Sequence, residues 1–78
     1  MDIRQVLATN LRRFRHANNL SQEELAFRAK VNRTYLSKLE TGATWAGLEV
    51  IAKVARVLDV EPAELLLRPK RTAQRPRV

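Results

Sequence analysis

The sequence predicts an all-α fold, a compact bundle of five short helices with a central pair joined by a tight turn. Apolar residues recur at helical spacing from the start of the chain. Ile3, Leu7, Leu11 and Phe14, for example, fall within about 80° of one helix face. No stretch alternates apolar and polar residues as a strand does. A chain of 78 residues is also long enough for only one small domain.

The first two helices have clear signals at their ends. Helix 1 is predicted over residues 2–17 and stops before a pair of asparagines. Ser21 then opens a Ser-Gln-Glu-Glu capping box, in which the Ser21 hydroxyl accepts from the Glu24 amide and the Glu24 carboxylate accepts from the Ser21 amide. Helix 2 is therefore predicted to follow, over residues 22–30.

The remaining three helices are marked by an asparagine, a glycine and a proline. Asn32 is a favourable N-cap for helix 3, predicted over residues 33–41, and Gly42 stands where a left-handed residue ends a helix. Helix 4 is predicted over residues 47–58. A short helix 5 is predicted from Pro62 to Leu67, because proline suits the first helical position.

The formal net charge of +7 is unevenly distributed. Residues 68–78 contain no acid and carry five cations, Arg68, Lys70, Arg71, Arg75 and Arg77. Of the 15 cations and 8 acids, ten cations and all eight acids therefore lie in residues 1–67, which leaves a charge of +2 there. We expect a folded domain over 1–67 and a flexible basic tail over 68–78 that adds nonspecific phosphate contacts.

The composition disfavours catalysis and membrane insertion. There is no cysteine for a disulfide or a thiolate metal site, and the single histidine, His16, has no second ligand or nucleophile beside it. We expect no enzyme activity, no metal and no cofactor. Because no apolar run reaches 18 residues and no secretory signal opens the chain, we expect a cytoplasmic protein without a membrane partner.

A polar face without acids is predicted on helix 3. In a helical projection, one arc of about 140° holds Arg33, Thr34, Ser37, Lys38 and Thr41, and the opposite arc holds Asn32, Tyr35, Leu36 and Leu39. A merely solvated face usually mixes both signs of charge. Small hydroxyls between long cations would let this helix approach a groove, with an ordinary solvated face as the alternative.

The residues around this face resemble a known family. S-Q-E-E-L-A…A-x-V…Y-L-S-K-L-E-x-G, with the later L-E-V-I-A-K-V-A-R-V-L-D-V…P-A-E-L-L, resembles the lambda-repressor-like helix-turn-helix of the Cro/CI type, the Xre family, over roughly residues 6–67. The resemblance implies that helix 3 lies in the major groove of double-stranded DNA. It implies base contacts by Arg33, Thr34, Ser37 and Lys38, and DNA-backbone contacts by Gln22, Asn32, Thr41, Ala43, Thr44 and Trp45.

The resemblance also implies a structural salt bridge between Arg15 and Glu40, which would join helices 1 and 3. The sequence departs from the family pattern at Lys30, where glycine is common. A left-handed backbone at Lys30 would carry strain. Gly47 replaces a side-chain N-cap, so we expect helix 4 to begin less firmly.

Helix 4 has more apolar surface than a small core requires. We expect one arc to face the core: Leu48, Ile51, Ala52, Ala55 and Leu58. A second apolar stripe beside helix 5 predicts a homodimer interface formed by Val50, Val54, Val57, Leu65, Leu66 and Leu67. A dimer would present two recognition helices to successive major grooves, so its operator would be an inverted repeat.

The sequence therefore predicts a dimeric, sequence-specific transcriptional regulator, expected to act as a repressor. Two other classes of function stay open. One is a protein-interaction module, such as an antitoxin or a polymerase adaptor, that uses Phe27, Trp45 or the valine stripe with a protein partner. The other is a nonspecific cationic binder of nucleic acid or membrane surfaces that depends on the tail.

Overall fold

Four α-helices and one turn of 3₁₀ helix make up residues 2–69, the part of the chain that the computed structural model describes. They are α1 (Ile3–Ala17), α2 (Gln22–Ala29), α3 (Arg33–Thr41), α4 (Leu48–Leu58) and the 3₁₀ segment (Pro62–Leu66). The predicted all-α class is confirmed, and no strand occurs within these residues. From residue 70 onward, the predicted basic tail lies outside the described residues.

The fifth element is a 3₁₀ turn that ends at Leu66, not the predicted α-helix to Leu67. The Glu64 amide donates to the Glu61 carbonyl at 2.9 Å, an i to i+3 bond. Pro69, four residues after Leu65, has no N–H, so the segment cannot continue as an α-helix by bonding the Leu65 carbonyl. The Leu65 carbonyl is instead bonded by a side chain of α1.

Side-chain caps fix where the first three helices begin, and those of α2 and α3 were predicted. Asp2 caps α1, and Asn32 caps α3 by accepting from an amide of its first turn. Both bonds of the capping box on α2 are present, with the Glu24 amide 3.0 Å from the Ser21 hydroxyl and the Ser21 amide 3.3 Å from the Glu24 carboxylate. Gly47, at the start of α4, has no side chain to offer.

Left-handed residues end three of the helices. Gly42 has φ 76° after α3. Lys30 has φ 59° after α2, which is the strained left-handed conformation considered for this turn in the sequence analysis. Asp59 has φ 60° after α4. A Cβ at Gly42 would also meet the end of the Gln5 side chain, which is flexible and can move aside. The tight turn between α2 and α3 therefore depends on a lysine in a conformation that glycine adopts without strain.

The core lies where α1 crosses α3 and the 3₁₀ segment, with α2 packed between α3 and α4. Its fully buried large side chains are leucines, Leu11, Leu25, Leu36, Leu39, Leu58 and Leu65. The buried Asn10 amide donates to the carbonyls of Leu65 and Leu67, each at 2.8 Å. These two bonds attach the end of the described chain to α1.

The orientation predicted for α4 is partly wrong. Val54 is 1% exposed and Leu65 is 0% exposed, so both belong to the core and neither can contact a second chain. Conversely, Leu48 is 81% exposed and Ala52 is also exposed, although both were predicted to face inward. Because α2 and the 3₁₀ segment both pack on α4, its buried arc is centred on Ile51, Val54, Ala55 and Leu58.

Replacing Lys30 with glycine should stabilise the fold. The substitution removes the left-handed strain of a residue with a side chain, so the free energy of unfolding should rise by up to about 1 kcal/mol. Urea unfolding followed by circular dichroism measures it. Asp59→Gly is the matched control at φ 60°. It should gain less, because aspartate tolerates this conformation better than lysine. Equal gains, or a loss at position 30, would contradict the assignment of strain to Lys30.

Candidate nucleic-acid interface

The four residues predicted to contact bases lie together on one side of α3. Arg33, Thr34 and Lys38 are exposed and Ser37 is half-buried. With Gln22 from the start of α2, they line a shallow, open cleft. The opposite side of α3 is buried through its two leucines and Glu40. The amphipathic pattern therefore separates a core face from an exposed face that carries side chains from two helices.

The exposed face of α3 is electrostatically positive. Within the described residues, neither Arg33 nor Lys38 forms an ion pair, and the cleft contains no acid. The acid of α3 itself, Glu40, is buried on the opposite side and paired with Arg15. At the start of α2, the Glu24 carboxylate accepts from Ser21 and lies 3.9 Å from Arg28. An unpaired cationic face beside small hydroxyls suits an anionic surface such as a phosphate-lined groove.

The loop between α3 and α4 is held by two aromatic residues. The Tyr35 hydroxyl donates to the Trp45 carbonyl at 3.0 Å, and the Gly47 amide approaches the Tyr35 oxygen at 3.4 Å. The Arg4 guanidinium lies over the Trp45 ring, 4.6 Å from its centroid. Sequence reasoning missed these roles of Tyr35 and Arg4, because the loop they hold has no periodicity from which its path could be predicted.

The other residues predicted to contact the DNA backbone flank the same face of α3. The Asn32 side-chain oxygen caps α3 by accepting from the Tyr35 amide at 3.1 Å, which leaves its NH₂ group for other partners. The Thr41 hydroxyl donates to the Lys38 carbonyl at 3.1 Å. Ala43 is exposed and Thr44 is half-buried.

Glu40 joins this face to the other helices. The Arg15 guanidinium donates to both carboxylate oxygens, with Nε 2.7 Å from Oε2 and Nη2 2.9 Å from Oε1. Gln22 Nε2 also donates to Oε1, at 3.0 Å. Arg12 Nη1 donates to the Glu40 carbonyl, and Arg15 Nη1 donates to the Leu20 carbonyl at 2.9 Å. The salt bridge implied by the resemblance is thus present, within a network that also includes Gln22 and Arg12.

Burial makes this ion pair important for stability. Glu40 is only 1% exposed, so ionising it in the core requires that its lone pairs be met by donors. The bidentate geometry from Arg15 is the strongest arrangement available to such a pair. Arg12 adds a cation at the C-terminal end of α3, where the helix dipole is negative.

Other site types find little support in residues 2–69. This part of the chain contains no group of histidine, aspartate and glutamate side chains that could hold a metal ion. None of its helices is both long enough and apolar enough to cross a membrane.

The fold and the cationic face of α3 define a helix-turn-helix protein, with α2 and α3 as its paired helices. The family profile described as Helix-turn-helix matches residues 11–65. Control protein C.SmaI of Serratia marcescens is 38% identical over 68 residues, which are 87% of this chain and 81% of that protein.

Two solved structures show the same fold. Hypothetical transcription factor NHTF from Neisseria is similar with a TM-score of 0.84 at 44% identity, over 87% of this chain and 78% of that one. Restriction-modification controller protein C.AhdI from Aeromonas hydrophila has a TM-score of 0.77 at 40% identity, over 80% of this chain and 94% of that one. The chain belongs to the Xre-type helix-turn-helix family, a family of DNA-binding transcriptional regulators rather than enzymes.

Replacing Glu40 with alanine should strongly destabilise the protein. Arg15 would remain largely buried without its partner, at a cost of about 3–5 kcal/mol in the free energy of unfolding. Thermal unfolding followed by circular dichroism measures the loss. The exposed Glu23→Ala variant is the control and should leave the melting temperature nearly unchanged. A Glu40→Ala protein that melts with the wild type would show that the pair does not stabilise the fold.

Proposed function

We propose that this protein is a homodimeric, sequence-specific regulator that represses transcription by binding an inverted-repeat operator. In this proposal α3 enters the major groove. The observation that carries it is the acid-free cleft formed by Arg33, Thr34, Ser37, Lys38 and Gln22 on the exposed side of α3. A dimer bound across a promoter would occupy DNA that a polymerase needs.

The chemistry of each side chain suggests a role in this groove. The Arg33 guanidinium suits bidentate bonding to guanine O6 and N7, and Lys38 can bond a guanine or a phosphate. Thr34 offers a methyl group to thymine, and the small Ser37 side chain lets α3 lie close to the bases. Each residue is on the exposed or half-buried side of α3, where a base edge can reach it.

Contacts to the DNA backbone would come from both ends of the same face. At the start of α2, the backbone amide of Gln22 lies at the positive end of a helix dipole, which favours phosphate. The Asn32 amide group and the Thr41 hydroxyl border α3. In the loop, Ala43, Thr44 and the indole N–H of Trp45 follow in a path held by Tyr35. These contacts would set the register of α3 rather than its base preference.

Because Val54 and Leu65 are buried, the proposed homodimer interface no longer includes them. The other four residues of the predicted interface stay accessible, with Val50 and Val57 half-buried and Leu66 and Leu67 exposed. Leu66 also borders a mostly apolar groove with Ile3, Trp45 and Ala46, whose lining includes one cation, Arg4. We assign the dimer contact to this groove and the adjoining leucines, because exposed apolar side chains at one place favour burial against a second copy.

One class of regulated gene is favoured by the comparisons. C.AhdI is a restriction-modification controller and C.SmaI is named a control protein, at 40% and 38% identity. We infer that this protein regulates restriction-modification genes. The first DNA to test is the region upstream of its own gene, against a scrambled duplex. Equal binding to both would favour a nonspecific cationic binder, and binding that requires a second protein would favour an antitoxin or adaptor.

Replacing Arg33 with alanine should weaken binding and relax base preference at one position of each half-site. Loss of a bidentate contact costs about 1–3 kcal/mol, or roughly 5- to 150-fold in affinity. Selection of duplexes from a random pool, followed by gel shifts, measures both effects. Arg56→Ala on α4 is the control, since it removes the same charge from an exposed position outside the cleft. The same loss in both variants, without a change in base preference, would contradict base reading by Arg33.

Replacing Leu66 with glutamate should dissociate the dimer and weaken operator binding. The substitution places a charge in the apolar groove without disturbing a fully buried side chain. Sedimentation at micromolar concentration measures the oligomeric state. Phe27→Glu is the matched control, because Phe27 is 83% exposed on α2 and does not border the groove. A wild-type monomer under these conditions would contradict the dimer, and an unaffected Leu66→Glu dimer would contradict this surface.

A further inference from the structure

Gln22 connects the exposed cleft with the buried ion pair. Its side chain is half-buried and borders the cleft together with Arg33 and Ser37. Its Nε2 is 3.0 Å from Glu40 Oε1, the same oxygen that accepts from Arg15 Nη2 at 2.9 Å. Among the residues that line this cleft, Gln22 alone bonds the buried carboxylate.

The chemistry of the carboxylate determines which way the Gln22 amide faces. An ionised carboxylate can only accept hydrogen bonds, so the NH₂ group of Gln22 must face Glu40. The reversed amide would place its carbonyl oxygen against a buried anion. The orientation is therefore determined even though the two ends of an amide have nearly the same shape. One N–H is used by Glu40, which leaves the second N–H and the carbonyl oxygen for partners at the edge of the cleft.

We propose that Glu40 is a positioning residue for DNA binding, because it holds the side-chain amide of Gln22 in one orientation at the edge of the cleft. This inference rests on the proposed function. The remaining N–H of Gln22 can donate to a phosphate oxygen, which only accepts. The carbonyl oxygen can accept from a donor such as the Arg33 guanidinium or the exocyclic amino group of adenine or cytosine.

The arrangement also fixes Gln22 before DNA arrives. A glutamine on an open surface loses rotamer freedom when it binds, and that loss weakens the complex. Here the bond to Glu40 forms when the protein folds, and Glu40 is itself held by Arg15 through two bonds. Ser37 borders the same cleft without a bond to Glu40, so it serves as an internal comparison.

The test compares Gln22→Ala in the wild type and in an Arg15→Met/Glu40→Met background. Replacing both members of a buried ion pair with apolar residues of similar size often preserves stability, so the fold should survive without the acceptor for Gln22. The probe is the duplex that the wild-type protein enriches from a random pool. We expect Gln22→Ala to weaken binding about tenfold in the wild type, as loss of a well-placed hydrogen bond does. We expect little further loss in the double variant.

Ser37→Ala is the matched control, and whatever effect it has on binding should be the same in both backgrounds. Equal losses from Gln22→Ala in both backgrounds, or no loss in the wild type, would overturn the positioning role. If the wild type enriches no sequence at all, the proposed function itself fails. The two failures are therefore distinguishable.

A second measurement needs no altered ion pair. In the free wild-type protein, the Gln22 side-chain NH₂ signals, assigned in an NMR spectrum by their absence in Gln22→Ala, should be shifted and protected from exchange with water. Signals at unfolded-chain positions would show that Glu40 does not hold the amide. This NMR measurement tests the positioning role of Glu40 even if the Arg15→Met/Glu40→Met protein does not fold.

Discussion

A single buried carboxylate joins the three helices on which the candidate interface depends. Glu40 is charged and 1% exposed, so the core tolerates it only while donors surround it. The carboxylate accepts from Arg15 on α1 and Gln22 on α2, and Arg12 on α1 donates to the backbone carbonyl of the same residue. Glu40 lies on the same side of α3 as Leu36 and Leu39, so the burial of these three residues turns the opposite face outward. Satisfying one core anion and burying the two leucines therefore require the same orientation of α3.

The helix positions were predictable because their signals are local. The capping box, the Asn32 cap and the left-handed Gly42 each involve residues a few positions apart, and the four α-helices lie within about one residue of the predicted limits. The face that α4 buries was not predictable. Eight of its eleven residues are apolar, so periodicity alone allowed several rotations. Packing of α2 and the 3₁₀ segment selected the one that buries Val54 and exposes Leu48.

The candidate site also has a part that was predictable from the sequence and a part that was not. The residues of the cleft were predicted from the amphipathic pattern of α3 and from the family resemblance, and the structure places them together. The bonds that hold them were harder to predict, because they join distant positions. Gln22 and Glu40 are 18 residues apart, and Tyr35 and Trp45 are 10 apart across an irregular loop. No periodic signal relates such pairs, so only the assembled fold reveals them.

The two bonds made by Asn10 have a consequence for how the protein is made. They link the first helix to carbonyls 55 and 57 residues later in the chain. A growing polypeptide therefore cannot complete its core until Leu67 has been synthesised and has left the ribosome. Helices 2 and 3 can form earlier from their own caps, but α1 has no partner for its buried amide until that moment. Native packing, and with it the cleft on α3, is thus acquired late in synthesis or after it.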